Sequence, residues 1–353
     1  MIVRILLLIL ITIIMLSIFS LIMWRFGAIL WFNLNLKKSI FAGFILLLIF
    51  IFAMFLISSS FKYVEIIGSI ILYIIYAIRV ISPLIFIIDI VWLWYKAPLV
   101  FIIPSIIIRL GFGIYSGTQP QITPLNISDS RLSQDYKVAF ISDMHVNILQ
   151  YSWYVQSIVR HIQDLKVDFV IIAWDLMNVA KIDYVDAFLP FNQLDIPVFA
   201  TLWNHDNMWN KSAIDILFQK TQIIPLRNQT IDLESLQIVW IDDPSYRSGK
   251  DLSTIISQTQ LNDQSKFTIF VTHQPIHLSK LSAYPIDLQL AWHTHNGQFI
   301  PLSRIIGLFN DYSYGLYHYW DQKAFVSQWI GARGAPIRIW TRSEIVLISL
   351  KKI

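Results

Sequence analysis

The sequence contains no cysteine, which excludes disulfides, thiolate-bound zinc, iron–sulfur clusters and a thiol nucleophile, and leaves the redox compartment undetermined. Charge is scarce as well: 14% of residues are Asp, Glu, Lys or Arg, where about 25% is ordinary for a soluble chain. Glycine is scarcest of all. There are 12 in 353 residues, and a usage of about 7% would give roughly 25. In their place stand a hydrophobic content of 56% and 13 tryptophans. The first is above the ~45–50% of soluble domains, so part of the chain belongs in a membrane. Tryptophan and glycine together number 25, the count expected of glycine alone.

Charge divides the chain. Residues 1–117 hold eight Lys or Arg against two acids, a net +6, while the remainder holds 19 basic and 21 acidic residues, a net −2. The overall +4 is therefore a membrane-flank effect, and nucleic acid is not the expected partner. Val3–Met23 and Ile40–Phe61 are apolar runs of the ~20 residues that cross a hydrocarbon core. A tilted span at Ile70–Trp94 and a shorter fourth at Pro98–Phe112 follow. The first run is too long for a signal-peptide core and lacks a small-residue cleavage site. With four spans, Arg25, Lys37, Lys38 and Lys96 share one face and Arg4 and Lys62 the other. The positive-inside rule then places the C-terminal domain on the extracytoplasmic side. This reading divides the chain into a transmembrane region 1–115, a polar linker 116–135 with Pro120 and Pro124, and a domain 136–353.

From Tyr136 short β-branched runs alternate with helical stretches, which implies helix-covered sheets of an α/β class. Strands are expected at 137–142, 169–173, 198–202, 237–241, 268–272, 288–291, 324–327 and 345–350. Ser152–Leu165 is an amphipathic helix, with Tyr154, Val155, Ile158, Val159, Ile162 and Leu165 on one face. All eight histidines lie in this part. Polar residues stand at the strand ends: Asp143 and His145, Asp175, Asn204-His205-Asp206, His273, and His293 and His295. Each strand delivers a side chain to a shared crevice. Oxygen and nitrogen donors without a thiolate suit two divalent ions such as Mn, Fe, Zn or Ni.

These blocks resemble the calcineurin-like metallophosphoesterases, whose pattern D-x-H, G-D, G-N-H-[DE], H and G-H-x-H is matched in order. The likeness covers about residues 136–353, and the multi-span N-terminal segment resembles a membrane-anchored branch. It implies a four-layer α/β/β/α sandwich. It further implies that Asp143, His145, Asp175 and His295 hold one metal, and that Asp175, Asn204, His273 and His293 hold the other. Asp175 would bridge the pair, and a shared water, acidified by both ions, would attack phosphorus as hydroxide. His205 would stabilise developing charge or protonate the leaving oxygen, with Asp206 orienting its ring. His161, His277 and His318 read as structural or surface residues, and Asp242 and Asp243 as turn residues. Arg333 and Arg338 could contact a phosphate or form ion pairs.

The departures from the pattern concern one residue type. Trp174, Trp203 and Trp292 stand directly before metal-ligand blocks, where the family has glycine, and Trp240, Trp329 and Trp340 fall at further glycine positions. Ligand-bearing turns need positive φ or close backbone approach, which a Cβ obstructs. Residues 118–247 contain five tryptophans and no glycine. Three readings are open: an inactive relative, a tolerated aromatic lining, or UGA codons translated here as Trp that the source organism reads as Gly. The last would extend to most of Trp24, Trp31, Trp92, Trp94, Trp153, Trp209 and Trp320. The expected function is membrane-anchored hydrolysis of a phosphomonoester, phosphodiester or pyrophosphate bond in a phosphorylated small molecule or lipid. A catalytically inactive, membrane-bound binding module is the alternative, and a transporter built from the spans is a distant third.

Overall fold

The computed structural model describes residues 99–353 except 174, 179, 202–203, 227, 242–251, 258, 260, 262, 293–306, 308–309, 333–335 and 339–340, together with helical residues 45, 48 and 49. Apart from residues 45, 48 and 49, which fall in the second expected span, the first three expected spans lie outside the described residues. The fourth falls on helix α1, Leu99–Thr118, which runs further than Pro98–Phe112. No helix among the described residues is long and apolar enough to cross a membrane. The chain forms two compact units, Met1–Gly111 and Phe112–Ile353, so the end of α1 belongs with the domain that follows.

That domain is built on two six-stranded mixed sheets. The strands of the first are β1 Gln121–Asp129, β2 Tyr136–Ser142, β3 Phe169–Ala173, β4 Val198–Thr201, β5 Ile223–Leu226 and β12 Glu344–Lys352, in the order β1-β12-β2-β3-β4-β5. The second comprises β6 Gln229–Leu233, β7 Leu236–Trp240, β8 Phe267–Val271, β9 Leu288–Ala291, β10 Gly315–Tyr319 and β11 Gln322–Val326, in the order β10-β11-β9-β8-β7-β6. Strands β2 to β5 are mutually parallel, as are β7, β8, β9 and β11.

Period-two alternation sorts each strand's side chains to two faces. Val138 and Phe140 of β2 point into the core between the sheets, whereas Ala139 and Ile141 face the helices. The inter-sheet core draws Ile171 from β3, Ile238 from β7, Ile269 from β8 and Leu290 from β9. Outside the first sheet lie α2 Ser152–Leu165, the 3₁₀ segment Ile182–Gln193 and α3 Asn204–Lys220. Outside the second lie α4 Leu252–Ser257 and α5 Leu278–Leu281. The result is four layers around three apolar cores. Helix α2 buries Tyr154, Val155, Ile158, Val159 and Ile162, with Leu165 only partly covered, and ends on Lys166 in the left-handed conformation.

One expectation changes. Residues 116–135, read from their polarity and prolines as a linker, carry β1, which pairs in parallel with β12 along nine residues. Its burial pattern explains the misreading: as an outer strand it covers only Leu125 and Ile127, too few to show as an apolar run. The chain enters β1 directly from α1. The Ser343 N–H donates to the Ser116 carbonyl at 2.9 Å and the Arg338 N–H to that of Gly113 at 2.9 Å.

Candidate metal centre

The turns after β2 and β3 are laced together. The Asp143 N–H donates to the Ala173 carbonyl at 2.9 Å, and the His145 N–H to that of Asp175 at 2.8 Å. Asp143, His145 and Asp175 all have positive φ, at 50°, 46° and 43°. Left-handed backbone at these points turns the chain sharply at the sheet edge, and the short polar side chains tolerate it. The outcome is convergence: one donor atom from each of the three lies within 4.8 Å of the others. His145 Nε2 is 3.7 Å from Asp175 Oδ2. Asp143 and His145 are buried, and the Asp175 side chain keeps 25% exposure.

His273 follows β8 and is buried. Its carbonyl accepts from the Trp292 N–H at 3.1 Å, and the Ser327 N–H donates to the Ala291 carbonyl at 2.8 Å. From there residues 327–331 cross to the first sheet. The Ile330 N–H donates to the Ser142 carbonyl and the Gly331 N–H to that of Asp143, each at 3.0 Å. This strap joins the ligand-bearing ends of both sheets. Gly331 is needed where it lies, because a Cβ there would meet the Asp143 carbonyl oxygen at 2.3 Å and that of Met144 at 2.4 Å.

A buried polar network holds the strap. Glu344 Oε1 accepts from Ser327 Oγ at 2.9 Å and from the Gln328 N–H at 2.8 Å. Its Oε2 accepts from Thr123 Oγ1 at 2.8 Å. Tyr154 and Ser343 hydroxyls both donate to the Ile330 carbonyl. Arg338 is fully buried and its guanidinium donates to the carbonyls of Gln328, Trp329 and Gly331. Burial pulls its pKa down to about 10, opposed by attraction to Tyr154, Glu344 and Asp143, so it stays charged at neutral pH. Of the two roles open to Arg338 in the sequence, phosphate contact or ion pair, neither is its main one: it gathers backbone carbonyls beneath the site. Nothing in composition or spacing marks that role. Arg333 lies outside the described residues.

Asn204, His205 and Asp206 form the first turn of α3 rather than the end of a strand. Their side chains, and all of His293 and His295, lie outside the description, as do Trp174, Trp203 and Trp340. His161 Nδ1 lies 2.7 Å from the Ser157 carbonyl, His277 stacks on Tyr312, and His318 is exposed, all outside the cluster. Two indoles lie against histidines of the candidate site. Trp329 lies 5.1 Å from the His145 ring and Trp292 5.6 Å from the His273 ring.

Residues 136–297 match the family described as calcineurin-like phosphoesterase. The chain carries a calcineurin-like metallophosphoesterase domain. Among its relatives, an uncharacterized metallophosphoesterase of Helicobacter pylori is 31% identical over 67% of this chain and 66% of its own length. Another, from Campylobacter jejuni, is 27% identical over 70% and 69%. A Bos taurus protein called transmembrane protein with metallophosphoesterase domain is 24% identical over 68% and 59%. The chain thus spans about two thirds of the length of these curated relatives.

The donor set fits the divalent ions that the family uses. Two carboxylates and an imidazole converge without a thiolate, oxygen and nitrogen donors of the kind such ions take.

Proposed function

We infer that this chain is a membrane-anchored, two-metal phosphoesterase that cleaves a phosphomonoester, phosphodiester or pyrophosphate bond. The observation that carries the reading is the convergence of Asp143, His145 and Asp175 inside a metallophosphoesterase domain. Asp143, His145, Asp175 and His295 would hold one ion, and Asp175, Asn204, His273 and His293 the second. Bound there, the ions supply Lewis acidity and lower the pKa of water towards neutrality. The protein's part is to fix the donors. Asp143 and His145 are locked by burial and by the strap, while Asp175, with its side chain partly open, faces the space a substrate must enter. His205, in the first turn of α3, protonates the leaving oxygen, and Asp206 orients its ring.

A lipid- or envelope-linked phosphate is favoured as substrate by the apolar first hundred residues, and a transmembrane relative carries the same domain. The domain sits on the extracytoplasmic side when all four apolar segments cross. Hydrolysis of a chromogenic phosphodiester by the detergent-solubilised protein with added Mn²⁺ tests the reading. Asp175→Asn is expected to lose more than the roughly 10–100-fold that removal of an outer partner costs in metal sites. An equally active variant defeats the assignment. The inactive binding module is supported by one observation, the indoles of Trp292 and Trp329 against two ligand rings. A protein that binds Mn²⁺ yet hydrolyses nothing would favour it.

A further inference from the structure

Among the described residues two tryptophans have positive φ: Trp320 at 54° and Trp329 at 80°. Asp and Asn visit this region at modest cost, but a bulky aromatic there is an outlier. Trp320 opens the two-residue turn between β10 and β11, whose flanking Tyr319 and Gln322 are paired. Positive φ at the first central residue and not at the second is the pattern of a II′ hairpin turn, whose first position favours glycine. Glu234 holds the same place between β6 and β7 at 47°, so a side chain there is bearable and Trp320 alone does not decide the matter.

Trp329 does. At 80° it lies beyond the ordinary left-handed well, and its backbone has no freedom to relax. Its N–H donates to Ser327 Oγ at 3.1 Å, and its carbonyl accepts from the Glu344 N–H at 3.0 Å and from Arg338. The side chain is fully buried, 5.1 Å from the His145 ring. Trp240, Trp292 and Trp329 head the largest fully buried side chains among the described residues, and all three lie in the inter-sheet core. The buried Trp240 indole N–H has no acceptor among the described residues.

We propose that positions 320 and 329, and with them 174, 203, 240 and 292, are glycine in the protein as its own cell makes it. The codon concerned is UGA, decoded there as glycine. The inference rests on backbone geometry and on the placement of tryptophan before ligand blocks, not on the proposed hydrolysis. Its consequence lies at the metal centre: the volume that two indoles fill against His145 and His273 becomes space beside the ions.

Mass spectrometry of the full chain purified from the source cells decides it. Tryptic peptides Ile305–Lys323 and Ala324–Arg333 should carry the mass of glycine at 320 and 329, and tryptophan mass at either position overturns the proposal. Recombinant protein supplies a second measurement. Trp320 is 86% exposed, so Trp320→Gly relieves the backbone without opening a cavity, and its Tm should rise by roughly 2–4 °C. An unchanged or lower Tm counts against the geometry. In a Mn²⁺ titration the double variant Trp292→Gly/Trp329→Gly should bind at least about tenfold more tightly than the chain with both indoles. Equal or weaker binding removes the consequence for the site. Glycine masses in a protein that hydrolyses no phosphoester would sink the proposed function and leave the decoding intact.

Discussion

Arg338 shows how much of the site depends on a residue that touches neither ligand nor ion. One guanidinium serves three carbonyls of the strap, and every one is buried with it. Arg338→Met keeps much of the volume and removes the donors, together with a positive charge that attracts Glu344. Breaking a buried charged network in this way costs about 3–5 kcal/mol, so urea unfolding should show a loss of that size. Arg338→Lys is expected to recover only part of it, since a point charge cannot fork to three acceptors. Gly331→Ala acts on the same strap from the other side. Its Cβ would meet two carbonyl oxygens of the ligand turn closer than any real Cβ contact, and overpacking of this kind costs about 1–3 kcal/mol. Because the displaced oxygen belongs to Asp143, a Mn²⁺ titration should show weaker binding as well.

At the scale of elements, the strands that could be read from the sequence are those buried on both faces. Val138 to Ile141, Phe169 to Ala173 and Phe267 to Val271 are covered throughout, so the first two appear as unbroken apolar runs and the third is interrupted only by Thr268. That is why the places of Asp143, His145, Asp175 and His273 just beyond strand ends can be read from the sequence. Strands β6 and β10 alternate between exposed and half-covered positions and β1 buries only Leu125 and Ile127, so no run betrays them. The strap was illegible for a different reason: Ser327, Arg338 and Glu344 follow no periodic pattern, and only the fold turns their polar atoms towards one buried network.

The end of β1 carries an element-scale clamp of the same hidden kind. Arg131 donates to both carboxylate oxygens of Asp129 and, at 2.6 Å, to Asp287 Oδ1. Asp287 in turn accepts from the Thr268 N–H of β8 at 2.7 Å, so the clamp ties the first sheet's outer strand to the second sheet. The hydrogen bond from Arg131 holds the Asp129 carboxyl below its usual 3.8. A carboxyl with a depressed folded pKa stabilises the fold above its unfolded value and loses that contribution as pH falls through the folded one. Stability should therefore decline below pH 3.8 in the parent. Arg131→Gln should be less stable at neutral pH, by about 1 kcal/mol for a partly exposed pair, with a shallower acid limb. Chemical denaturation at a series of pH values measures both.

At the scale of the whole molecule, the point where the N-terminal unit ends and the second begins has consequences for any shortened form. The family match starts at Tyr136, which would suggest cutting there. The structure places the boundary earlier, because Gly117 packs so closely on Pro336 that a Cβ would meet its carbonyl oxygen at 2.5 Å, and β1 completes the first sheet. A fragment of residues 136–353 loses the burial of Leu125, Ile127 and Leu132. At about 1.5–3 kcal/mol for each large apolar side chain, that alone approaches the ~5–15 kcal/mol by which domains of this kind are stable. It also leaves all nine paired positions of β12 as an open edge, a template for association with other chains. A fragment of residues 112–353 keeps both features and loses only the N-terminal unit. In size-exclusion chromatography the longer fragment should elute as a discrete species with one cooperative thermal transition, and the shorter one in the void volume. If hydrolysis and anchoring are separable as proposed, the longer fragment should match the full chain on a soluble chromogenic phosphodiester. It should fall behind on a phospholipid presented in vesicles, where only the anchored chain is held at the surface.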